Sequence, residues 1–121
     1  MAKTILVVDD SASLRQVVGI ALKSAGYDVI EACDGRDALT KLNGQKIHLI
    51  ISDVNMPNMD GITFVRQLKT NPAYKFTPVI MLTTESGEDK KSAGQAAGAK
   101  AWVTKPFQPA QMLAAVSKLL V

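Results

Sequence analysis

The chain has 121 residues, of which 47% are hydrophobic and 21% are charged, and its formal net charge is +3. This length and balance predict one globular domain over residues 1–121 and exclude a disordered or fibrous chain. The apolar runs are far shorter than the roughly 20 residues of a membrane helix, and there is no signal peptide. A lone Cys33 cannot form an internal disulfide. We therefore expect a cytoplasmic protein without membrane contact.

The basic residues are spaced singly along the chain, with Lys90-Lys91 as the only adjacent pair. A nucleic-acid surface would show a cluster or stripe of such residues. We therefore expect no nucleic-acid partner, although the sequence is basic overall.

Five short, mostly apolar segments alternate with helical patterns along the chain. The predicted strands are Thr4 to Val8, Val29 to Ala32, Ile47 to Ser52, Val79 to Thr83 and Ala101 to Thr104. The second segment mixes charged with apolar residues, which indicates an edge strand. This alternation predicts an α/β fold, with a parallel sheet covered by helices on both faces.

The helices are predicted from apolar residues at helical spacing. Asp34 and Asp60 are suited to cap the second and third helices, Gly26 to end the first, and Pro109 to begin the last. The fourth helix, residues 88–97, has only an alanine stripe with a glycine inside it. Because an interior glycine costs about 1 kcal/mol relative to alanine, we expect this helix to be the least stable element.

Polar residues fall where the predicted strands end. Asp9 and Asp10 follow the first strand, Asp53 and Thr83 end the third and fourth, and Lys105 follows the fifth. In an open α/β sheet, ligands bind at the carboxyl ends of the strands. We therefore expect these five side chains to converge on one crevice.

Three carboxylates in one crevice repel each other, and a divalent cation relieves the repulsion. Magnesium is held by one or two carboxylates and completes its shell with water and phosphate oxygens. Phosphoryl transfer needs positioning and charge neutralisation more than covalent help. The crevice therefore predicts phosphoryl chemistry with a carboxylate as the nucleophile.

Four motifs carry a family resemblance. Val7 to Ser11, Asp53 to Gly61, Leu82 to Thr84 and Lys105 to Phe107 together resemble the signature of response-regulator receiver domains. Each is weak by itself, but four in the right order and spacing are specific, and they extend over the whole chain. The resemblance implies a flavodoxin-like fold, with five parallel strands in the order 2-1-3-4-5 and five helices.

The resemblance also implies a role for each residue of the crevice. Asp53 would accept the phosphoryl group as an acyl phosphate. Asp10, Asp53 and the main-chain carbonyl of Asn55 would bind Mg²⁺, with Asp9 acting mostly through water. Lys105 would pair with the phosphoryl oxygens.

Thr83 and Trp102 would form the switch. Thr83 would move to hydrogen-bond the phosphoryl group, and the ring at position 102, usually Tyr or Phe in this family, would swing inward. Trp102 is bulkier than the usual ring, and Thr84 stands where small residues are common. Asn55 and Glu85 are similar to the residues of the chemotaxis members, which indicates a short-lived phosphate.

A sensor histidine kinase is the partner that the resemblance implies upstream. Because no output domain follows Val121, we expect the surface of the fourth helix, fifth strand and fifth helix to bind the target itself. The flagellar motor switch is the favoured target. A phosphate sink that drains the kinase without touching the motor is the alternative.

A phosphohydrolase with Asp53 as its nucleophile is the rival from another class. Haloacid-dehalogenase-like phosphatases carry an Asp-x-Asp motif that contains the nucleophile. Here Asn55 replaces the second acid of that motif. We therefore expect no enzyme beyond the protein's own phosphorylation and dephosphorylation. His48, the only histidine, lies in an apolar segment, and we predict a structural role for it.

Overall fold

The computed structural model of the chain describes residues 3–54, 56–83, 98–104 and 108–120. The elements in these ranges are β1 (Thr4–Val8), α1 (Ala12–Ser24), β2 (Asp28–Ala32), α2 (Gly35–Lys41), β3 (Leu49–Asp53), α3 (Gly61–Lys69), β4 (Val79–Thr83), β5 (Ala101–Thr104) and α4 (Pro109–Leu119). The predicted fourth helix falls on residues outside these ranges, so α4 corresponds to the fifth helix of the sequence prediction.

The five strands form one parallel sheet in the order β2-β1-β3-β4-β5, which confirms the order that the resemblance implied. β2 is an edge strand, as its mixed composition predicted. Because all strands run in one direction, their carboxyl ends meet at one end of the sheet and their amino ends at the other. The helices run back between the strands and therefore end at the amino end.

The sheet is buried on both faces. Alternate side chains of β1 point to opposite faces, so that Ile5 and Val7 pack with α1 and α4, while Leu6 and Val8 pack with α2 and α3. Phe64 of α3 fills the second layer and is fully buried. Burial on both faces explains why the central strands are continuously apolar.

The third strand begins later than predicted. Ile47 and His48 precede β3, whereas Asp53 belongs to it as its last residue. The His48 N–H donates to the Thr4 carbonyl, and its Nδ1 atom accepts the Thr4 N–H, both at 2.9 Å. The side chain therefore ties β1 to the segment before β3, in keeping with the structural role predicted for it.

The predicted caps are present. The carboxylates of Asp34 and Asp60 accept N–H groups in the first turns of α2 and α3, at 2.8 and 2.7 Å. Gly26 follows α1 with a φ of 95°, a left-handed conformation that favours glycine. Pro109 begins α4. None of the helices in the described ranges has the length and apolar content needed to span a membrane.

Candidate functional site

Three carboxylates lie together at the carboxyl end of the sheet. Asp9 and Asp10 follow β1 and Asp53 ends β3, and the pairing of these two strands brings them side by side. One oxygen of each carboxylate lies within 4.8 Å of the other two. Asp9 and Asp53 are only 1% and 6% exposed, whereas Asp10 is open to solvent. The structure thus brings together the three acids that the sequence placed in one crevice.

Main-chain hydrogen bonds orient the two buried carboxylates. An oxygen of Asp9 accepts the Ser11 N–H at 2.8 Å, and an oxygen of Asp53 accepts the Val54 N–H at 2.8 Å. The Ser52 hydroxyl donates to the Asp53 carbonyl at 2.9 Å. These bonds hold the charged groups at the strand ends, where one cation can reach all three acids.

Arg15 supports the same end of the sheet, and sequence reasoning did not single it out. One guanidinium N–H donates to the Asp9 carbonyl at 2.6 Å, and another pairs with the Glu31 carboxylate at 3.2 Å. The side chain therefore connects α1 to the ends of β1 and β2. Because every residue has a main-chain carbonyl, no sequence pattern indicates that Arg15 bonds to that of Asp9.

The chain after Asp53 turns back tightly onto it. The Gly61 N–H donates to the Val54 carbonyl at 2.8 Å. A Cβ atom on Gly61 would overlap the carbonyl oxygen of Asp53 and would lie 3.0 Å from both the Asp53 carbonyl carbon and the Met81 Cε atom. Glycine is therefore required here for close approach of two backbones. This approach fixes where α3 begins relative to Asp53.

The same turn is fastened to the start of α2. Asn58 has a φ of 67°, and its side-chain amide donates to the Asp34 carboxylate at 2.8 Å. Met59 packs on Gly35, where an added Cβ would lie 2.8 Å from the Met59 Cγ atom. The Asp37 N–H and the Asn58 amide, in that order, hold the pKa of Asp34 below its usual value. Asn58 and Met59 thus hold the turn after Asp53 against the start of α2, and we call this close-packed contact the wall beside Asp53.

The remaining predicted residues are placed only in part. The Thr83 backbone ends β4, one residue beyond Leu82, whose Cα is paired with that of Asp53. Trp102 lies in β5, is half-buried and packs against the core layer of α2 and α3. Asn55 and Lys105 lie outside the described residues. The chemical roles of these four residues stay predictions.

In its chemistry, the cluster is suited to one hard cation. Oxygens on opposite sides of a cation are separated by at most twice the metal–oxygen distance, about 4.2 Å for Mg²⁺ and nearly 5 Å for Ca²⁺. The three carboxylates, whose oxygens lie within 4.8 Å of one another, match this limit for Ca²⁺ and slightly exceed it for Mg²⁺, so that one of them would reach Mg²⁺ through water. The side chains of Asp9, Asp10 and Asp53 therefore fit a site for a divalent cation next to a buried carboxylate nucleophile.

Comparison with known proteins agrees with this arrangement. A family model described as the response regulator receiver domain matches residues 5–117. Protein PilG of Pseudomonas aeruginosa is 39% identical over 112 residues, which make up 93% of this chain and 83% of PilG. The structure of chemotaxis protein CheY4 of Vibrio cholerae is 47% identical, with a TM-score of 0.95, and the match covers 99% of this chain and all of CheY4.

The chain belongs to the response regulator receiver family of two-component systems. It has the CheY-like fold of that family. Not every relative has the same extent: the phosphate regulon transcriptional regulatory protein PhoB of Pseudomonas aeruginosa is 38% identical over 120 residues, and the chain spans only about half of it, 52%.

Proposed function

We propose that the chain is a phosphorylation-activated switch of a chemotaxis-type two-component pathway, with Asp53 as the phosphoryl acceptor. The observation that carries the proposal is the position of the buried Asp53 carboxylate, at the end of a central strand and beside two further carboxylates. The chain is 47% identical to the chemotaxis protein CheY4 and 38% identical to the transcriptional regulator PhoB, which supports a chemotaxis-type pathway.

Mg²⁺ would be held by Asp10, Asp53 and the main-chain carbonyl of Asn55, with Asp9 acting mostly through water. When bound, the ion neutralises the carboxylates and binds a phosphoryl oxygen. A carboxylate oxygen of Asp53 forms the new bond to phosphorus. At the same time the bond between phosphorus and the histidine nitrogen of the kinase breaks. The Lys105 ammonium pairs with the phosphoryl oxygens, and the Thr83 hydroxyl donates a hydrogen bond to one of them.

The upstream partner in this proposal is a sensor histidine kinase. Val17 and Ile20 on α1 are 51% and 63% exposed, and the first turn of α1 borders the acidic cluster. Val17 and Ile20 therefore offer apolar surface close to the acidic cluster. The kinase must reach this cluster to donate its phosphoryl group. Neighbouring exposed apolar side chains are one mark of a protein interaction surface.

Downstream, the proposal is a target that binds β5, α4 and the segment between β4 and β5, with the flagellar motor switch as the favoured target. A phosphate sink shares the chemistry at Asp53 and differs only in having no such target. We do not propose a phosphohydrolase, because Asn55 stands where those enzymes carry a second acidic residue, which acts as general acid and base. The chain then promotes only its own phosphorylation and dephosphorylation.

The test is the intact mass of the protein after incubation with acetyl phosphate. Wild type should gain one phosphoryl group in Mg²⁺ and none in chelator, and Asp53→Asn should gain none. Asp28→Asn is the matched control, because Asp28 is exposed at the opposite end of the sheet and should be labelled normally. Full labelling of Asp53→Asn would contradict the assignment.

Two further measurements separate the alternatives. A motor-switch protein should be retained by the protein with Mg²⁺ and beryllium fluoride, a mimic of the acyl phosphate, and not without the mimic. A phosphate sink would give no difference between the two samples. Repeated turnover of a small phosphomonoester would instead indicate a phosphohydrolase.

A further inference from the structure

The fold separates the charges of the chain into two ends. Every carboxylate that the structure describes, except that of Asp28, lies at the carboxyl ends of the strands. Every described lysine lies at the opposite end, before a strand or in the last turn of a helix. The lysines are spaced singly in the sequence, and only the parallel topology gathers them. We call the opposite end the amino-end face.

Six lysines of the amino-end face are exposed, and they come from six different places in the chain. Four precede strands and two lie in the last turns of α1 and α4: Lys3, Lys46, Lys75, Lys100, Lys23 and Lys118. They extend across the sheet from the β2 side to the β5 edge. The positive charge therefore covers the whole face and is not confined to one groove.

Helix dipoles explain only part of this pattern. A cation in the last turn of a helix is stabilised by the carbonyl groups there, which accounts for Lys23 and Lys118. Lys3 is also explained by a helix end, because its ammonium donates to the Leu120 carbonyl after α4 at 2.7 Å. Lys46, Lys75 and Lys100 precede strands, and sheets have only small dipoles.

The Lys69 side chain packs against Gly98, two residues before Lys100. Burial and then the charge of Lys100 lower the pKa of Lys69. Positive charge is crowded here, and among the described residues Asp28 is the one carboxylate at this end of the sheet.

An aromatic side chain projects from the same face. Phe76 is 85% exposed, and the Lys75 ammonium lies 5.0 Å from the centre of its ring. Its neighbours hold the backbone in place, since Tyr74 is buried and its hydroxyl donates to the Gln45 carbonyl at 2.7 Å. The Lys69 ammonium donates to the Thr77 carbonyl at 2.7 Å. The ring is therefore presented outward by an anchored loop.

The width of the charged face decides between classes of partner. A groove of about 380 Å³ lies next to this loop, but Lys46 is the only lysine that lines it. An acidic peptide in the groove would leave most of the lysines unused. Nucleic acid is favoured by arginine forks and helix N-termini, whereas this face has mainly lysines and helix C-termini. An extended anionic layer engages all six lysines together and accommodates a projecting aromatic ring.

We propose that the amino-end face docks on an anionic membrane surface, with the exposed lysines above the headgroups and Phe76 at the interface. This binding is peripheral and reversible. It revises the expectation of no membrane contact, which rested on the short apolar runs and the absence of a signal peptide. In the docked orientation the Asp53 end of the sheet points away from the membrane, so that phosphorylation and docking are compatible.

The test is co-sedimentation of the full chain with lipid vesicles at low ionic strength. The protein should bind phosphatidylcholine vesicles that contain phosphatidylglycerol, should not bind pure phosphatidylcholine, and should be released by salt. A lysine near an anionic surface contributes about fivefold to partitioning, so Lys100→Glu, which removes and reverses one charge, should reduce binding by roughly 25-fold. Phe76→Ser should reduce it further, by a few-fold.

Arg36→Glu is the matched control, because it makes the same change in net charge at the acidic end of the sheet. It should bind almost as wild type does, and labelling by acetyl phosphate should show that every variant is folded. Equal loss in Arg36→Glu and Lys100→Glu would overturn the proposal. So would absence of vesicle binding, or binding to poly-aspartate or duplex DNA in preference to vesicles, which would identify an acidic protein or nucleic acid as the partner.

Discussion

Replacing Gly61 with alanine tests whether the tight turn after Asp53 positions the phosphoryl acceptor. The new Cβ would overlap the Asp53 carbonyl oxygen and would lie 3.0 Å from the Met81 Cε atom. The methionine end can move, but the strand backbone cannot move without shifting Asp53. The turn must therefore open by roughly 1 Å, which moves α3 relative to the acidic cluster.

The size of the effect follows from two opposing terms. Overpacking of this kind costs about 1–3 kcal/mol, and alanine recovers at most about 1 kcal/mol of helix propensity at the start of α3. The net loss of about 1–2 kcal/mol lowers the Tm of a domain of this size by about 4–8 °C. Because a misplacement of about 1 Å can cost 10²-fold in rate, phosphorylation by acetyl phosphate should slow by roughly 10- to 100-fold.

The assays are thermal unfolding and the rate of acetyl phosphate labelling in Mg²⁺. Gly19→Ala is the matched control: the same substitution lies inside α1, and its Cβ would meet only Val29, at an ordinary 3.8 Å. It should raise stability by up to about 1 kcal/mol and leave labelling unchanged. Wild-type Tm and labelling in Gly61→Ala would refute the view that this backbone approach positions Asp53.

Three further predictions concern charge and switching. Asp10→Asn should raise the Tm of the metal-free protein by relieving carboxylate repulsion and should weaken Mg²⁺ binding; an unchanged Tm would count against a tight cluster. Trp102 emission should shift when Mg²⁺ and beryllium fluoride are added together, and less so in Thr83→Ala; a constant emission would indicate a static ring. Because its folded pKa is lowered, Asp34 stabilises the fold above the ordinary aspartate pKa of about 3.9 and loses this effect as pH falls through the folded pKa. The free energy of unfolding, measured in urea, should therefore fall less steeply with decreasing pH in Asp34→Asn than in wild type, and Asp28→Asn should behave as wild type does.

The sequence predicts the acidic site well because the site depends on strand ends. A polar residue after an apolar run marks the end of a strand, and parallel strands bring their carboxyl ends together. Asp9, Asp10 and Asp53 therefore meet as predicted. The caps Asp34 and Asp60 were predictable for a similar reason, since a cap bonds within its own helix.

Features that depend on contacts between distant residues were not predictable from one sequence. The fastening of Asn58 to Asp34 and the Arg15 bond to the Asp9 carbonyl join separate elements, and no local pattern encodes them. The start of β3 was misplaced because Ile47 is apolar and buried without belonging to the strand. Apolar character reports burial, whereas a strand requires pairing of the backbone.

The packing around Asp53 also indicates where a phosphate signal can move the protein. On the α2 and α3 side, Gly35 and Gly61 place backbone and side chains in contact so close that one methyl group does not fit. At the β5 edge of the sheet, Trp102 is only half-buried. A close-packed wall resists small displacements, while a half-buried ring can exchange between two positions at low cost. Phosphate at Asp53 can bias only an element with two accessible states, so the structural change should run through β4, β5 and Trp102 and leave the wall beside α2 in place.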